Sequence, residues 1–309
     1  MRYATLGRTG FSVSEISLGG MQLNGKPGFK GAESGDEAQA LEAVRIAVAE
    51  CGVNFIDTAR WYHDSQKRIA RALDGLEGGR DVTIATKVSP DTRAQAVRDQ
   101  VEVCLRDLRR DHIDLMQIHS GTDREKRDAT VPVLLDLRDR GMLRFLGVTM
   151  GYGPKVPEQA MACIESGVFD TIQLHVNVLH PVFARTVLPA AKRRGMGTLA
   201  MNPQCGGYLA KRCPDPARYD LSFLADTGAT TMHEAALKWC VSSDCIDVAI
   251  PGSKNPEHIR SNCAVSNGRY LTSEQAGTLE HLLADTIDTS DDWDWTPNED
   301  LEAMAGETL

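Results

Sequence analysis

The stretch NFIDTARWYHDSQKRIARAL, residues 54–73, contains one complete unit of the predicted fold. It begins as a short apolar strand and continues as an amphipathic helix. An aspartate, two adjacent aromatic residues and a histidine lie at the junction. Asp57 either ends the strand and caps the next element, or it is the first member of an active site. The recurrence of this strand–helix pattern along the chain bears on both interpretations.

Eight apolar runs of strand character occur along the chain. Each is almost continuously apolar, as expected of parallel strands that are covered on both faces. Amphipathic helical patterns lie between them, as in residues 36–52 and 92–110. The eight runs are EISLGG (15–20), NFIDT (54–58), VTIATK (82–87), LMQIH (115–119), FLGVT (145–149), TIQLHV (171–176), GTLAM (197–201) and DVAIPG (247–252).

The strands begin about every 30 residues, which is the length of a βαβ unit. Eight strands that alternate with helices predict a closed (β/α)8 TIM barrel, and an open doubly wound sheet is the alternative. The opening MRYATLGRTGFSV has two short extended pieces around Gly7 and Gly10. They predict an N-terminal β-hairpin that closes the bottom of the barrel. We therefore expect a single domain over residues 1–309.

Composition narrows the class of protein. The chain has 309 residues, of which 42% are hydrophobic, enough for a substantial core. Its net charge of -9 argues against nucleic acid or an anionic membrane as a partner. No apolar run approaches the roughly 18 residues of a membrane span, and the start lacks the apolar region of a signal peptide. The eight scattered cysteines include no C-x-x-C pair, which predicts reduced thiols in a cytoplasmic protein without a metal site.

Polar residues follow several of the predicted strands. In a (β/α)8 barrel the carboxyl-terminal ends of the strands form the active-site face. The second, third and fourth strands end at Asp57, Lys87 and His119, and Tyr62 lies in the loop after the second. Taken alone, each has a purely structural interpretation, such as a cap, a surface lysine, a core histidine or a packing aromatic. A single active site explains all four positions at once.

These four side chains suit proton transfer to an oxygen. A free phenol has a pKa of about 10 and is a weak acid unless a cation stabilises its phenolate. Lys87 can supply that positive charge, and Asp57 can pair with Lys87 in a partly dry site. His119 can orient a substrate oxygen. The set therefore predicts protonation of an oxygen that becomes negative, as when a carbonyl is reduced.

The same residues resemble the aldo-keto reductase family across roughly residues 1–285. Residues 54–73 look like its D-T-A-x-x-Y-G-x-S-E segment. VTIATKV (82–88) resembles its lysine motif, and DHIDLMQIH (111–119) resembles its histidine motif. LGRTGFSVSEISLGGMQL (6–23) is similar to its hairpin and first strand. The resemblance implies an (α/β)8 barrel and a nicotinamide cofactor. It also implies a catalytic tetrad of Asp57, Tyr62, Lys87 and His119, with Tyr62 as general acid–base. Trp61, next to this proposed acid, is expected to contact the substrate.

The resemblance also implies residues that contact the nicotinamide. FLGVTMGYG (145–153) stands where the family usually has G-V-S-N, so Thr149 replaces a serine, and Met150 cannot replace the asparagine. Gln173 is implied as a second contact to the carboxamide. Met201 stands where many members stack an aromatic residue on the nicotinamide. The further cofactor positions implied at these strand ends are Met21, Asn202 and Pro203.

The segment IPGSKNPEHIRSN (250–262) resembles the family's adenosine-phosphate motif. Its physical logic is visible in the residues themselves, because Asn255 can cap a helix and Pro256 suits the first turn. A helix N-terminus favours an anionic phosphate, and the loops after strands seven and eight are the usual phosphate site. A merely structural capped helix is the alternative. The implied contacts are Gly252, Ser253, Lys254, His258 and Asn262.

Two positions in this motif bear on cofactor preference. His258 stands at the position of a common arginine, and Ser261 at that of a common glutamate. Both changes weaken the case for strict NADP selectivity. Because Lys254 and His258 can be cationic, we favour NADP(H), with NAD(H) as the alternative.

Other nucleotide and hydrolase motifs fail. GGMQLNGKP (19–27) has Pro27 where a P-loop needs a hydroxyl, GYGPKV (151–156) lacks the third glycine of a Rossmann fingerprint, and G-x-S-x-G is absent. The sequence thus predicts an NAD(P)H-dependent enzyme that reduces an aldehyde, ketone or sugar carbonyl, or oxidises the alcohol. The alternatives are a nicotinamide-binding redox-sensing regulatory subunit, and a lyase or isomerase that uses transient hydride transfer. Trp293 and Trp295 either pack on the barrel or line the substrate pocket, and the oligomeric state stays open.

Overall fold

A computed structural model describes residues 1–26, 36–151, 153, 155–207, 209 and 219–284. Within them, an antiparallel hairpin precedes an eight-stranded parallel sheet. The hairpin consists of β1 (Tyr3–Thr5) and β2 (Ser12–Ser14). The sheet consists of β3 (Leu18–Gly19), β4 (Phe55–Asp57), β5 (Thr83–Val88), β6 (Ile113–Ile118), β7 (Leu143–Thr149), β8 (Thr171–His175), β9 (Gly197–Met201) and β10 (Val248–Ile250).

The sheet closes on itself. Its strands lie side by side in chain order from β3 to β10, and each pair is parallel. The first and last strands are joined by backbone hydrogen bonds from Ser17 to Ala249 (3.0 Å), from Ala249 to Glu15 (2.9 Å) and from Gly19 to Pro251 (2.9 Å). The (β/α)8 barrel with an N-terminal hairpin is therefore confirmed, and the open doubly wound sheet is excluded.

Helices cover the outside of the barrel. Asp36 caps the first helix by accepting a hydrogen bond from the Ala38 amide, and a π-helical turn (Ile46–Glu50) continues it. The helical patterns predicted at 36–52 and 92–110 are both confirmed. The helices are α1 (Glu37–Arg45), α2 (Ser65–Asp74), α3 (Ala94–Leu108), α4 (Arg124–Asp139), α5 (Val156–Ser166), α6 (Val182–Arg185), α7 (Val187–Arg193), α8 (Met232–Val241), α9 (Pro256–Ala264) and α10 (Ser273–Ala284).

The hairpin seals the end of the barrel where the strands begin. Leu6 and Val13 pack against the apolar side chains that fill the barrel interior. The Gly7 backbone lies so close to the start of β9 that a Cβ atom there would be 2.1 Å from the Gly197 nitrogen. Gly7 also has a φ of +45°, so this approach needs glycine. The interior residues of this apolar layer include Phe55, Ala85, Leu115, Leu199 and Val248.

Inside the barrel, a polar layer follows this apolar layer toward the carboxyl-terminal ends of the strands. Because alternate residues of a strand face the same side, the next interior positions toward the carboxyl ends are two residues further along. On β4, β5 and β6 these positions are Asp57, Lys87 and Gln117, all of them buried. The barrel thus changes from apolar to polar just below its active-site face.

Residues 27–35 and 285–309 lie outside the described residues, so the roles predicted for Trp293 and Trp295 are not addressed. The single domain over residues 1–309 stays a prediction for the same reason. Within the described part of the chain, no helix combines the length and apolar character needed to cross a bilayer.

Candidate active site

The four residues of the predicted tetrad lie at the ends of neighbouring strands. Asp57 ends β4, Lys87 lies next to the end of β5, and His119 directly follows β6. Tyr62 lies in the turn between β4 and α2. The Tyr62 and His119 rings are 5.8 Å apart and nearly perpendicular, at 85°. The Lys87 Nζ atom lies 5.4 Å from the centre of the Tyr62 ring. The structure therefore brings all four residues together.

A buried ion pair forms the floor of this group. Lys87 Nζ donates to Asp57 Oδ2 at 2.6 Å and to the Thr58 carbonyl at 2.8 Å. The exposed fractions of the two charged side chains are 1% and 5%. Burial raises the pKa of Asp57 and lowers the pKa of Lys87, since a charge loses its hydration in the interior, while their mutual attraction opposes both shifts.

Two glutamines surround the same carboxylate. Gln117 Nε2 donates to Asp57 Oδ1 at 3.2 Å, and the Gln173 side chain also hydrogen-bonds to Asp57. The Oε1 atoms of both glutamines are buried and have no hydrogen-bond partner within the described residues. Gln117 was not among the predicted site residues, although it lies two positions before His119 and so faces the same interior.

The proton on Tyr62 is held more tightly than the sequence suggests. Lys87, the cation expected to stabilise a Tyr62 phenolate, hydrogen-bonds to Asp57 and Thr58 in this structure. Burial raises the pKa of Tyr62, and the nearby Asp57 carboxylate raises it further, because both disfavour a second negative charge. Tyr62 is therefore a protonated phenol at neutral pH, so its proton is present for transfer, although the raised pKa makes it a weaker acid than a free phenol.

The Tyr62 turn is fixed by local hydrogen bonds. Its carbonyl accepts from the Ser65 amide at 2.9 Å, where α2 begins, and Ser65 Oγ donates to the Gly20 carbonyl at 2.7 Å. His63 adopts a left-handed conformation with a φ of 46°. Trp61, 48% exposed, lies edge-on to His119 with ring centres 6.2 Å apart. The predicted substrate contact is thus at the open rim beside the tetrad.

The predicted cofactor contacts occupy the other strand ends of the same face. Thr149 ends β7, Gln173 lies on β8 and Met201 ends β9. Gly252 follows β10, and Met21 follows β3 in a 3-10 turn (Gly20–Leu23). The tetrad lies at the carboxyl-terminal ends of β4 to β6 and in the loop after β4. The two sets therefore divide one barrel mouth between them.

The nicotinamide positions differ in how far they are buried. Thr149 Oγ1 accepts from the Ser120 amide at 3.0 Å and is buried. Met150 is fully buried in the core. Gln173 is 2% exposed, so its amide belongs to the polar layer around Asp57 as well as to the barrel mouth.

Asn202, in the loop after β9, contacts two residues that were not among the predicted site residues, Asn177 and His175. Asn202 has a φ of 54°, and its carbonyl accepts from Asn177 Nδ2 at 3.1 Å. Its own Nδ2 atom lies 2.9 Å from His175 Nδ1. Pro203, the next predicted contact, is buried.

The predicted cap of the phosphate-motif helix is confirmed. Asn255 Oδ1 accepts from the Glu257 amide at 2.9 Å, and Pro256 is the first residue of α9. Ser253 Oγ accepts from the Asn255 amide at 3.1 Å, which shapes the loop before the helix. Further along α9, Asn262 Oδ1 accepts from Gln204 Nε2 at 2.8 Å. This bond joins the loop after β9 to α9.

A carboxylate lies beside α9 that the sequence did not predict. Ser261 Oγ donates to Glu234 Oε1 at 2.8 Å, and Glu234 belongs to the capping box of α8. A negative charge therefore reaches Ser261 from a different helix. Lys254 is half-buried and His258 is exposed near the start of α9.

Comparisons with known proteins agree with this architecture. A family-wide sequence profile described as "Aldo/keto reductase family" matches residues 15–284. The chain is similar to the aldo-keto reductase YhdN of Bacillus subtilis, with 26% identity over 93% of this chain and 95% of that protein. It is also similar to L-galactose dehydrogenase of Arabidopsis thaliana, with 25% identity over 84% and 86%. An aldo-keto reductase from Klebsiella pneumoniae in complex with NADPH has a similar fold, with a TM-score of 0.73, 21% identity and coverage of 92% and 96%.

Proposed function

The chain belongs to the aldo/keto reductase family, and we propose that it reduces an aldehyde, ketone or sugar carbonyl to the alcohol with NAD(P)H, or catalyses the reverse reaction. The observation that carries this proposal is the protonated Tyr62 phenol, which lies 5.8 Å from the His119 ring and above the buried Lys87–Asp57 pair. The substrate is a small molecule that enters past Trp61.

The proton transfer follows from these residues. The reduced nicotinamide, when bound, supplies the hydride. Tyr62 donates its proton to the carbonyl oxygen as negative charge develops there, and His119 holds that oxygen by a hydrogen bond. The Lys87 ammonium, 5.4 Å from the Tyr62 ring, then stabilises the new phenolate. In the reverse direction, the phenolate accepts the proton of an alcohol.

The residues present fit a nicotinamide dinucleotide. The buried Gln173 Oε1 has no partner within the described residues, and a carboxamide N–H can donate to it. The capped N-terminus of α9, with Ser253 and Lys254 before it, suits a phosphate. We favour NADP(H) because Lys254 and His258 can both be cationic. The Glu234 carboxylate beside Ser261 is the feature that favours NAD(H).

The function is tested on the purified full chain. NADPH or NADH absorbance is followed with 4-nitrobenzaldehyde, glyceraldehyde and methylglyoxal, and the reverse reaction is followed with L-galactose and the oxidised cofactors. Product analysis separates reduction from lyase or isomerase chemistry. Absence of both carbonyl reduction and alcohol oxidation with every probe would contradict the proposal.

The role of Tyr62 is tested by Tyr62→Phe, which keeps the ring and removes the acid. Turnover should be lost, while quenching of cofactor fluorescence still reports binding. The matched control is Tyr3→Phe, since Tyr3 is exposed and its hydroxyl donates to the Gly52 carbonyl at the far end of the barrel. Full activity in Tyr62→Phe would remove Tyr62 as the proton donor.

A further inference from the structure

Gln117 is a fully buried polar neighbour of the proposed site. It is 0% exposed and faces the barrel interior from β6. Its Nε2 atom donates to Asp57 Oδ1 at 3.2 Å, whereas Lys87 takes the other oxygen, Oδ2, at 2.6 Å. Each oxygen of the buried carboxylate thus has a side-chain donor, Lys87 from the adjacent β5 and Gln117 from β6 one strand further on.

The amide is retained at a cost in stability. Its Oε1 atom is buried without a partner in the described part of the chain, and an unpaired buried acceptor is destabilising. An apolar side chain of similar size would avoid that cost. The gain that offsets it is the hydrogen bond to an ionised carboxylate, which is stronger than one between neutral groups. The reversed amide would place two acceptors 3.2 Å apart.

The neighbouring strand provides room for this side chain. Gly147 on β7 pairs directly with Gln117 in the sheet. A Cβ atom at Gly147 would lie 2.9 Å from Gln117 Cγ and 2.3 Å from Thr171 Oγ1. Any larger residue at this position would come too close to both Thr171 and Gln117, so the glycine leaves space for these two side chains.

We propose that Gln117 is a positioning residue that orients the Asp57 carboxylate and shares its negative charge. Asp57 then stays hydrogen-bonded to Lys87, and its negative charge acts less strongly on the Tyr62 hydroxyl group. Its effect on turnover rests on the proposed reductase function. Gln117 acts through Asp57 and needs no contact with substrate or cofactor. The charge that it withdraws is the same charge that opposes ionisation of Tyr62.

Two substitutions test the proposal, with NADPH and 4-nitrobenzaldehyde as probes. Gln117→Met keeps the volume and removes the donor. We expect the single-turnover rate of NADPH oxidation to fall about tenfold or more, as for loss of a hydrogen bond to a charged group, and the Kd for NADPH to change less than about twofold. Gln66→Met is the matched control, because Gln66 is equally buried but donates to Thr86 Oγ1 in the outer layer.

Gln117→Glu gives a readout that a space-filling role would not produce. Ionisation of two carboxyl groups this close together is strongly disfavoured. At low pH the new carboxyl group therefore keeps its proton and donates a hydrogen bond to Asp57. Activity should be retained at acidic pH and fall as pH rises through the pKa of the pair. Wild-type rates in Gln117→Met, or no new pH dependence in Gln117→Glu, would overturn the inference.

A measurement without turnover separates this inference from the proposed function. Urea unfolding compares the effect of Gln117→Met in the wild type with its effect in an Asp57→Asn, Lys87→Met background. The loss in the free energy of unfolding should be clearly smaller where the carboxylate is absent. Equal losses would refute the contact even in an active enzyme. Unequal losses in a protein that reduces no carbonyl would refute the proposed function alone.

Discussion

Lys87→Met tests the charged pair on which the site is built. The substitution keeps a long side chain but removes the Lys87 ammonium group, which contacts Asp57 Oδ2 at 2.6 Å. Asp57 is then a carboxylate in the barrel interior without a counter-charge. The donors from Gln117 and Gln173 remain. We expect a large loss of stability at pH 7 because breaking a buried pair leaves the other charge uncompensated.

The magnitude follows from the geometry. At an effective dielectric constant of about 20, two unit charges at this separation attract by roughly 6 kcal/mol. Loss of one partner of a buried pair typically costs about 3–5 kcal/mol, since the remaining charge relaxes or takes up a proton. With about 2.1 cal/mol/K of unfolding entropy per residue, this loss in a chain of 309 residues lowers Tm by about 5–8 °C.

The loss should depend on pH in one direction. In Lys87→Met, burial without the cation holds the pKa of folded Asp57 above its unfolded value of about 4. The folded state then binds the extra proton, so the destabilisation is small at low pH and grows as pH rises through the folded pKa. Circular dichroism during urea unfolding at several pH values measures this directly.

Arg93→Met is the matched control. Arg93 pairs with Asp91 at 2.8 Å, nearly the same distance, but its side chain is 77% exposed. An exposed pair contributes little to stability, because water and salt screen its charges. Asp57→Asn combined with Lys87→Met should recover part of the stability, because it leaves no unpaired charge. If Lys87→Met cost no more than Arg93→Met, the buried pair would not be ionised and the account of the site would be wrong.

Three further predictions address pH, cofactor and fold. Because the raised pKa of Tyr62 keeps the phenol protonated, carbonyl reduction should show no alkaline fall below about pH 10, whereas alcohol oxidation should rise with pH; an alkaline fall of reduction near about pH 8 would contradict this. Lys254→Ala should weaken NADPH binding about tenfold and NADH binding less than about twofold in fluorescence titrations, and equal effects would show that this lysine does not read the 2′-phosphate. Lys238→Met should lower the free energy of unfolding by about 3 kcal/mol or more, because the buried ammonium donates to three oxygens of the turn 265–269 at 2.6–2.7 Å; a loss below about 1 kcal/mol in urea unfolding would count against that role.

The fold was predictable because its signal is local and repeated. Apolar runs of strand length alternate with helical patterns, and this alternation is typical of a parallel barrel. The strand boundaries were less accurate where the barrel closes. The runs predicted at 15–20 and 247–252 form strands only over Leu18–Gly19 and Val248–Ile250, although an isolated bridge also joins Ile16 and Ala249. At this seam, closure depends on hydrogen bonds between the two ends of the sheet, which no local pattern reports.

The placement of the tetrad was also predictable. Asp57, Lys87 and His119 each end an apolar run, and parallel strands place such ends at one face. Two chemical features were not predictable. The pKa of Tyr62 is raised by burial and by the Asp57 carboxylate. Gln117 looked like an ordinary strand residue, because its partner Asp57 is 60 positions away.

The linear chain alone predicted the barrel, the helix cap and the face that carries the candidate site. Each of these depends on a property of a short segment: periodic apolar patterning, a capping asparagine before α9, or an ionisable residue at a strand end. Which donor meets which oxygen was settled only by the folded barrel. The Gln117–Asp57 and Ser261–Glu234 hydrogen bonds join strands or helices that are distant in the chain. The protonation of buried groups depends on the loss of their hydration and on the nearness of other charges. Both arise only when those elements pack together.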